Sequence, residues 1–268
     1  MKILIVSGFL GAGKTTFIKR LARNVDQRFA ILENEYGAAG IDGARLGQNR
    51  QGTQKNVWEM TEQCICCIGK KDFAASVLTI ANVVDPEYLI VEPTGVGSLA
   101  RIIENLRQIE YERIQLLSPV TIVDVYSYRR YMAEYPELYQ DQIRSADTII
   151  VSKTEACQAE EKQRIQKFLQ EINSQAKIIT DYASTMTRED YQSLLLGSRY
   201  EKKVQDTQSG EKMPETFSFE NIRMEAPETL WCFLEQIIRG AFGNIIRAKG
   251  QFAAGDQFLQ FDVADHRY

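Results

Sequence analysis

Residues 8–15 read GFLGAGKT, the spacing G-x-x-x-x-G-K-T, and they stand between the apolar run KILIVS (2–7) and a stretch patterned as a helix from residue 14. Glycines at these positions let backbone N–H groups curl around a phosphate, and the helix start adds its positive partial charge. Lys14 can reach the β and γ oxygens, and the Thr15 hydroxyl can ligate Mg2+. This chemistry needs a buried strand feeding a helix. The stretch therefore predicts a strand–loop–helix unit with Gly8, Gly11, Ala12, Gly13, Lys14, Thr15 and Thr16 lining a nucleotide.

The rest of the chain agrees with that start. Short runs rich in Ile, Val and Leu recur at 29–34, 88–93, 120–125, 147–152 and 177–180, separated by helical patterns at 14–25, 70–83, 98–108 and 158–172. Continuous apolar runs spaced by helices are what a parallel sheet covered on both faces produces. The expectation is an α/β fold, a doubly wound, mostly parallel sheet of the P-loop nucleoside triphosphatase type. The polar stretch SRYEKKVQDTQSGEKMP (198–214) has linker composition. We divide the chain into a nucleotide-binding domain at 1–200, a linker at 201–214 and a small α+β appendage at 215–268, compact by nature or shortened. In the appendage FSFENIRM, IIRAKGQF and FLQFDV read as strands, and Leu230, Phe233, Leu234, Ile237 and Ile238 share a helical face.

With 25% charged residues and a formal net charge of -4, no basic surface points to nucleic acid or to an anionic membrane. No apolar run reaches the roughly 20 residues that span a bilayer, and Gly8, Gly11 and Lys14 interrupt the N-terminal run too soon for a signal peptide. A cytoplasmic location is expected.

A carboxylate should reach the loop's metal from a neighbouring strand. YLIVEPTGVG supplies Glu92 at the end of an apolar strand, where burying an ion is costly unless it faces a metal or water. Lys14 and Glu92 are thus the catalytic candidates, and Gly95 lies where its N–H could meet a γ-phosphate. After the run ending at Val151, VSKTE places Ser152, Lys153 and Glu155 in loose agreement with the N-K-x-D clamp for guanine. This favours GTP and GDP over ATP, although the longer Glu155 arm leaves strict selectivity open.

Three of the five cysteines fall in QCICC (63–67), after NVWEM (56–60), read as another strand. Metal ligation, redox exchange and chance compete for Cys64, Cys66 and Cys67. The C-x-C-C spacing lacks the C-x-x-C of thioredoxin-like exchange, which favours metal. ILENEYG ends at the same expected rim, bringing Glu33 and Glu35 within reach, and thiolates with a carboxylate suit Zn2+ or Co2+. Cys157 is assigned to a polar surface, Cys232 to the core of the appendage and His266 to solvent.

The pieces GFLGAGKTT, NEYGAAGIDG, QCICC, IVEPTGVG, SKTE and RAKGQF together resemble the CobW-like group of P-loop GTPases, relatives of those that help load nickel into hydrogenase and urease. The resemblance implies a GTPase with slow intrinsic turnover that binds a transition metal near C-x-C-C and delivers it. By the same resemblance Glu33, Cys64, Cys66 and Cys67 are metal ligands, and Asp42 lies in a switch-like segment that senses Mg2+ or γ-phosphate. Three departures stand out: Gln63 precedes the first cysteine where Gly is common, Ala38 replaces a carboxylate, and there is no His-rich stretch.

The expected function is a GTP-hydrolysing metallochaperone using GTP, Mg2+ and Zn2+ or Co2+. Its partners would be a client metalloprotein or a cobalamin-dependent enzyme, with a nucleotide-dependent homodimer as an option. Two alternatives remain: an ATP-dependent small-molecule kinase with a structural zinc, and a nucleotide- and metal-sensing regulator.

Overall fold

The computed structural model describes residues 1–27, 29–33, 70–197, 199–204, 214–215, 217, 219, 222–224, 226–254 and 257–264. Strand β1 (Lys2–Gly8) is the centre of a seven-stranded sheet, with Ile3 to Val6 fully buried. β3 (Tyr88–Glu92) pairs with one side of it, and β2 (Phe29–Glu33) lies outside β3. On the other side the two-residue β4 (Gln115–Leu116) meets the start of β1 and β5 (Val120–Asp124) meets its end. Beyond them lie β6 (Thr148–Ser152) and β7 (Lys177–Ile179), and all the described pairings of this sheet are parallel.

The two-residue period of a strand divides this sheet between two cores. Ile3, Ile5, Leu89, Val91, Val123, Ile149 and Val151 face one side. There they meet α2 (Lys70–Thr79), α3 (Leu99–Arg107), α4 (Tyr128–Glu134), α5 (Pro136–Arg144) and α6 (Ala159–Ile172). Leu4, Val6, Tyr88, Ile90, Ile122 and Ile150 face the other, against α1 (Lys14–Asn24), α7 (Tyr182–Thr185) and α8 (Arg188–Leu196). This is the doubly wound α/β arrangement that the apolar runs predict.

Most expected elements appear within one or two residues. The helix predicted over 70–83 is α2 followed by a π-helical turn at Ile80–Val84, closed by Asp85 at φ 45°. Ser98 starts α3 by accepting the Arg101 N–H at 3.2 Å. α4, α5, α7, α8 and β4 were not anticipated. α8 has a reciprocal cap between Thr187 and Asp190.

A second sheet of three strands is formed by β8 (Arg223–Met224), β9 (Arg247–Ala254) and β10 (Gln257–Ala264). The predicted strand 217–224 is thus represented by two residues among those described. α9 (Pro227–Ile238) packs Leu230, Leu234 and Ile237 against Val263. Ile246 enters the main core, and Arg130 donates to Asn244 Oδ1 at 2.7 Å. Residues 199–204 run beside the main sheet, with Tyr200 buried and its hydroxyl donating to the Ser145 carbonyl at 2.9 Å.

Leu195 of α8 is fully buried in the cluster that contains Phe17 and Leu21 of α1. Truncating such a side chain removes its transfer energy and leaves a cavity under α1. Leu195→Ala should cost about 2–5 kcal/mol, read as a lower urea midpoint with an unchanged denaturant slope.

Candidate functional site

The phosphate loop leaves β1 at Gly8, at φ 140°, where a Cβ would lie 2.3 Å from the Ile122 carbonyl oxygen of β5. Gly11 and Gly13 also have positive φ, 70° and 96°. Gly13 caps α1 with no side-chain hydrogen bond and no acidic residue follows in the first turn, so this helix start presents backbone donors to an anion. Ala12 is buried, and the side chain of Thr16 is exposed.

Lys14 is 6% exposed, and its Nζ donates to the carbonyls of Gly8 at 3.0 Å and Phe9 at 3.2 Å. Its ammonium therefore lies along the inside of the loop. The Thr15 hydroxyl donates to Glu92 at 3.1 Å to Oε1 and 3.3 Å to Oε2. Thr15 and Glu92, expected together from the sequence, are brought together by the ends of α1 and β3. Hard oxygen donors in this pairing suit Mg2+.

Gly95 packs directly on the loop, since a Cβ there would be 2.4 Å from the Leu10 nitrogen. The loop's own Phe9 is buried in an aromatic cluster, with ring centroids 4.1 Å from Tyr131, 5.4 Å from Tyr135 and 5.9 Å from Tyr139. On the far side, β10 ends against the loop, because a Cβ at Gly11 would come within 2.6 Å of Ala264 Cβ.

Ser152 at the end of β6 donates to the Ala12 carbonyl at 2.6 Å, tying that strand to the phosphate loop. Lys153 has a left-handed backbone, φ 59°, and its Nζ pairs with Asp124 Oδ2 at 2.6 Å. Asp124 is 3% exposed and also accepts the Tyr126 N–H at 2.8 Å. The lysine head is therefore held at the end of β5. Glu155 is exposed two residues further on. Asp181, another left-handed residue, follows β7. The hydrogen bond from Lys162 at 2.6 Å, helped by one from Thr154, holds its carboxyl below the usual range. Non-glycine residues in this conformation carry strain that surrounding structure must hold, and strain of this kind gathers at binding rims.

Glu35, Asp42, Cys64, Cys66 and Cys67 lie outside the described residues, as does His266. Of Glu33 the backbone is placed: β2 pairs it with Glu92 of β3. Among the described residues no three His, Cys, Asp or Glu side chains converge as a metal site. Of the remaining cysteines, Cys232 reverses the expectation and Cys157 departs from it only in part. Cys157 is half-buried against the main core, and burial pushes its thiol up. Cys232 is exposed, because it stands two residues, about 200° around the helix, from the buried Leu230.

Sequence reading missed Asp124, although it ends the run VTIVD as Glu92 ends YLIVE, and the same cost of burying a carboxylate could have marked it. It also missed Gln142, which binds the loop after Glu92, and Asp141, which binds the first amides of α3.

A phosphate loop at the C-terminal rim of a doubly wound sheet, with a strand-end carboxylate on its threonine, defines a P-loop nucleotide-binding domain. The model of the family described as CobW/HypB/UreG, nucleotide-binding domain, matches residues 2–180, and the chain belongs to that family. Zinc chaperone YeiR of Escherichia coli K12 is 30% identical over 178 residues, 65% of this chain and 53% of that protein. Zinc chaperone YjiA of the same organism is 27% identical over 186 residues, 66% of this chain and 56% of its own length. The chain spans about half the length of the curated relatives it matches. The crystal structure of Zn(II)-bound YjiA GTPase from E. coli superposes with a TM-score of 0.55 at 18% identity, covering 99% of this chain and 86% of that one, which shows a shared fold.

The junction of β10 with the phosphate loop leads to a direct test. Ala264→Phe would extend a ring toward Gly11 and should weaken GDP binding at least about tenfold, about 1.4 kcal/mol, with the thermal midpoint little changed. Unaltered affinity in a calorimetric titration would separate β10 from the nucleotide.

Proposed function

We propose that this chain is a GTP-hydrolysing metallochaperone whose nucleotide state governs the binding and release of a transition metal, Zn2+ before Co2+. The observation that carries the reading is the pairing of Glu33 with Glu92. Glu92 contacts Thr15 beside the phosphate loop, while the chain leaving Glu33 is the one that contains Asp42, Cys64, Cys66 and Cys67 before it returns at Lys70. Nucleotide and cargo metal are thus assigned to adjoining strand ends. The names of the relatives, zinc chaperones YeiR and YjiA, favour zinc as cargo.

In this reading Lys14 and the loop amides bind the phosphates, and Thr15, Glu92 and Asp42 hold Mg2+, which would neutralise charge between the β- and γ-phosphates. Gly95 supplies an N–H to the γ-phosphate. The Lys153 stem, its head fixed by Asp124, offers a platform for the base, and Glu155 accepts from guanine. Cys64, Cys66 and Cys67, with Glu33 and Glu35, receive the cargo metal and pass it to a client metalloprotein or a cobalamin-dependent enzyme. Residues 1–200 act as the nucleotide-binding domain, 201–214 as a linker and 215–268 as an appendage that touches the phosphate loop. The reading places the chain in the cytoplasm; among the described residues no helix is long and apolar enough to cross a membrane.

Reciprocal linkage supplies the test, because metal and nucleotide must shift each other's affinity by the same factor. Titrating Zn2+ against the GDP-bound and the GTP-analogue-bound chain should give affinities differing by about 5- to 150-fold, a coupling of roughly 1–3 kcal/mol. The difference should vanish in Cys66→Ser. Equal affinities in both nucleotide states would remove the chaperone mechanism and leave a structural metal site. A competition between GTP and ATP should favour GTP at least about tenfold. Equal binding would instead support the kinase reading.

A further inference from the structure

We propose that Gln142 is a positioning residue that sets the loop 93–98 for the terminal phosphate of the nucleotide, with Asp141 fixing the helix that follows. The proposal rests on the reading of Gly95 as the γ-phosphate contact and adds the residue that holds it in place.

Gln142 is 1% exposed on α5, far along the chain from the loop it binds. Its Nε2 donates two hydrogen bonds, to the Gly95 and Gly97 carbonyls, both at 3.0 Å. Its backbone carbonyl accepts the Thr121 hydroxyl at 2.9 Å, which ties the same residue to β5. Next to it Asp141, 7% exposed, accepts the Leu99 N–H at 2.6 Å and the Ala100 N–H at 3.4 Å, where α3 begins. Two consecutive side chains of one helix therefore hold the carbonyls of the loop and the first amides of the helix after it.

The peptide geometry gives this clamp a direction. A trans peptide points its C=O and N–H to opposite sides. Turning the Gly95 and Gly97 carbonyls onto Gln142 makes the next N–H groups, of Val96 and Ser98, face away from α5. Gly95 itself presses on the Leu10 nitrogen of the phosphate loop, where no side chain would fit. The loop is held between Gln142 on one side and the phosphate loop on the other. The Val96 and Ser98 amides are oriented before a ligand arrives, the arrangement electrostatic stabilisation requires, and Gly95, whose own N–H belongs to the preceding peptide, is held in position beside them.

The chemistry of the glutamine supports the same role. Its Oε1 is buried and has no protein donor among the described residues. Burying an acceptor unpaired is unfavourable, and an apolar side chain of similar volume would avoid it. What the carboxamide adds over such a side chain is its pair of donor bonds to the loop.

The experiment compares wild type with Gln142→Met, which keeps the volume and removes the donors, and with Gln142→Asn, which keeps the amide on an arm too short for both carbonyls. Affinities for GDP and for a non-hydrolysable GTP analogue are measured with kcat, alongside the thermal midpoint. Gln142→Met should lower analogue affinity and kcat at least about tenfold, the combined effect of two neutral hydrogen bonds, while GDP affinity stays within about twofold of wild type. Gln142→Asn should fall between them, and it carries the test if Gln142→Met does not fold. A merely structural role predicts a lower midpoint with GDP and analogue affected equally, and that result overturns the proposal, as does no change in either. Wild type that fails to distinguish the analogue from GDP overturns the reading of Gly95 itself, an outcome visible without any variant.

Discussion

Gly8 lies so close to the Ile122 carbonyl that even a methyl group would collide with it, and the site depends on that approach. β1 and β5 can stay paired to the last residue of β1 only because nothing projects between them, so the chain turns into the phosphate loop at the sheet rim. β1 is also where the strand order reverses, with β3 and β2 to one side and β5, β6 and β7 to the other. Ligands of open parallel sheets bind at such a switch point, where the connections part and leave a crevice. A side chain at Gly8 would force the strands apart and remove the crevice together with the loop.

Once the loop is placed, other elements fix it from several directions, each by a short contact. Ser152 holds the Ala12 carbonyl from β6, the tyrosines of α4 and α5 hold Phe9, Gly95 backs Leu10, and Ala264 closes on Gly11. The charges are ordered as well. Lys14 and the start of α1 make the loop cationic, while Glu92 and Asp124 stand at the ends of the strands flanking β1. An anion is attracted to the centre of this arrangement and a cation to its edge at Glu92. The acid at β5 is paired with Lys153, and the acid at β3 accepts from Thr15.

The sheet was legible in the sequence because its strands are buried on both faces and show as unbroken apolar runs. The phosphate loop was legible because glycine, lysine and threonine are needed there for reasons of backbone shape and charge. α4 and α5 were not, because α4 buries two tyrosines and α5 mixes Tyr139, Asp141 and Gln142 with Leu138 and Ile143 on its buried face. Tyr128, Tyr131, Tyr135 and Tyr139 recur at helical spacing, but each carries a hydroxyl and sits among arginines and glutamates, so the stretch reads as polar. Gln142 and Asp141 were hidden for a related reason. Their value lies in backbone groups more than 40 positions away, which no local pattern reveals. Cys232 was misplaced because it was assigned to the core although it is not on the helical face shared by Leu230, Leu234 and Ile237, which form the buried stripe.

Coupling between nucleotide and cargo metal, as proposed, has few routes through this structure. β2 is held in register on β3, since Ile31 and Leu32 pack into opposite cores of the sheet and a one-residue slip of β2 would send each into the other. The pairing of Glu33 with Glu92 is therefore a fixed reference, with the two backbones about 4.8 Å apart. The chain after Glu92 is held as well, by Gln142 and Asp141 from α5 and by Leu10. The connection from Glu33 to Lys70 starts beside Glu92 and contains every thiol assigned to cargo. A rigid sheet and a clamped loop leave Glu33, the last described residue of β2, as the point where the proposed signal enters the thiol-bearing chain.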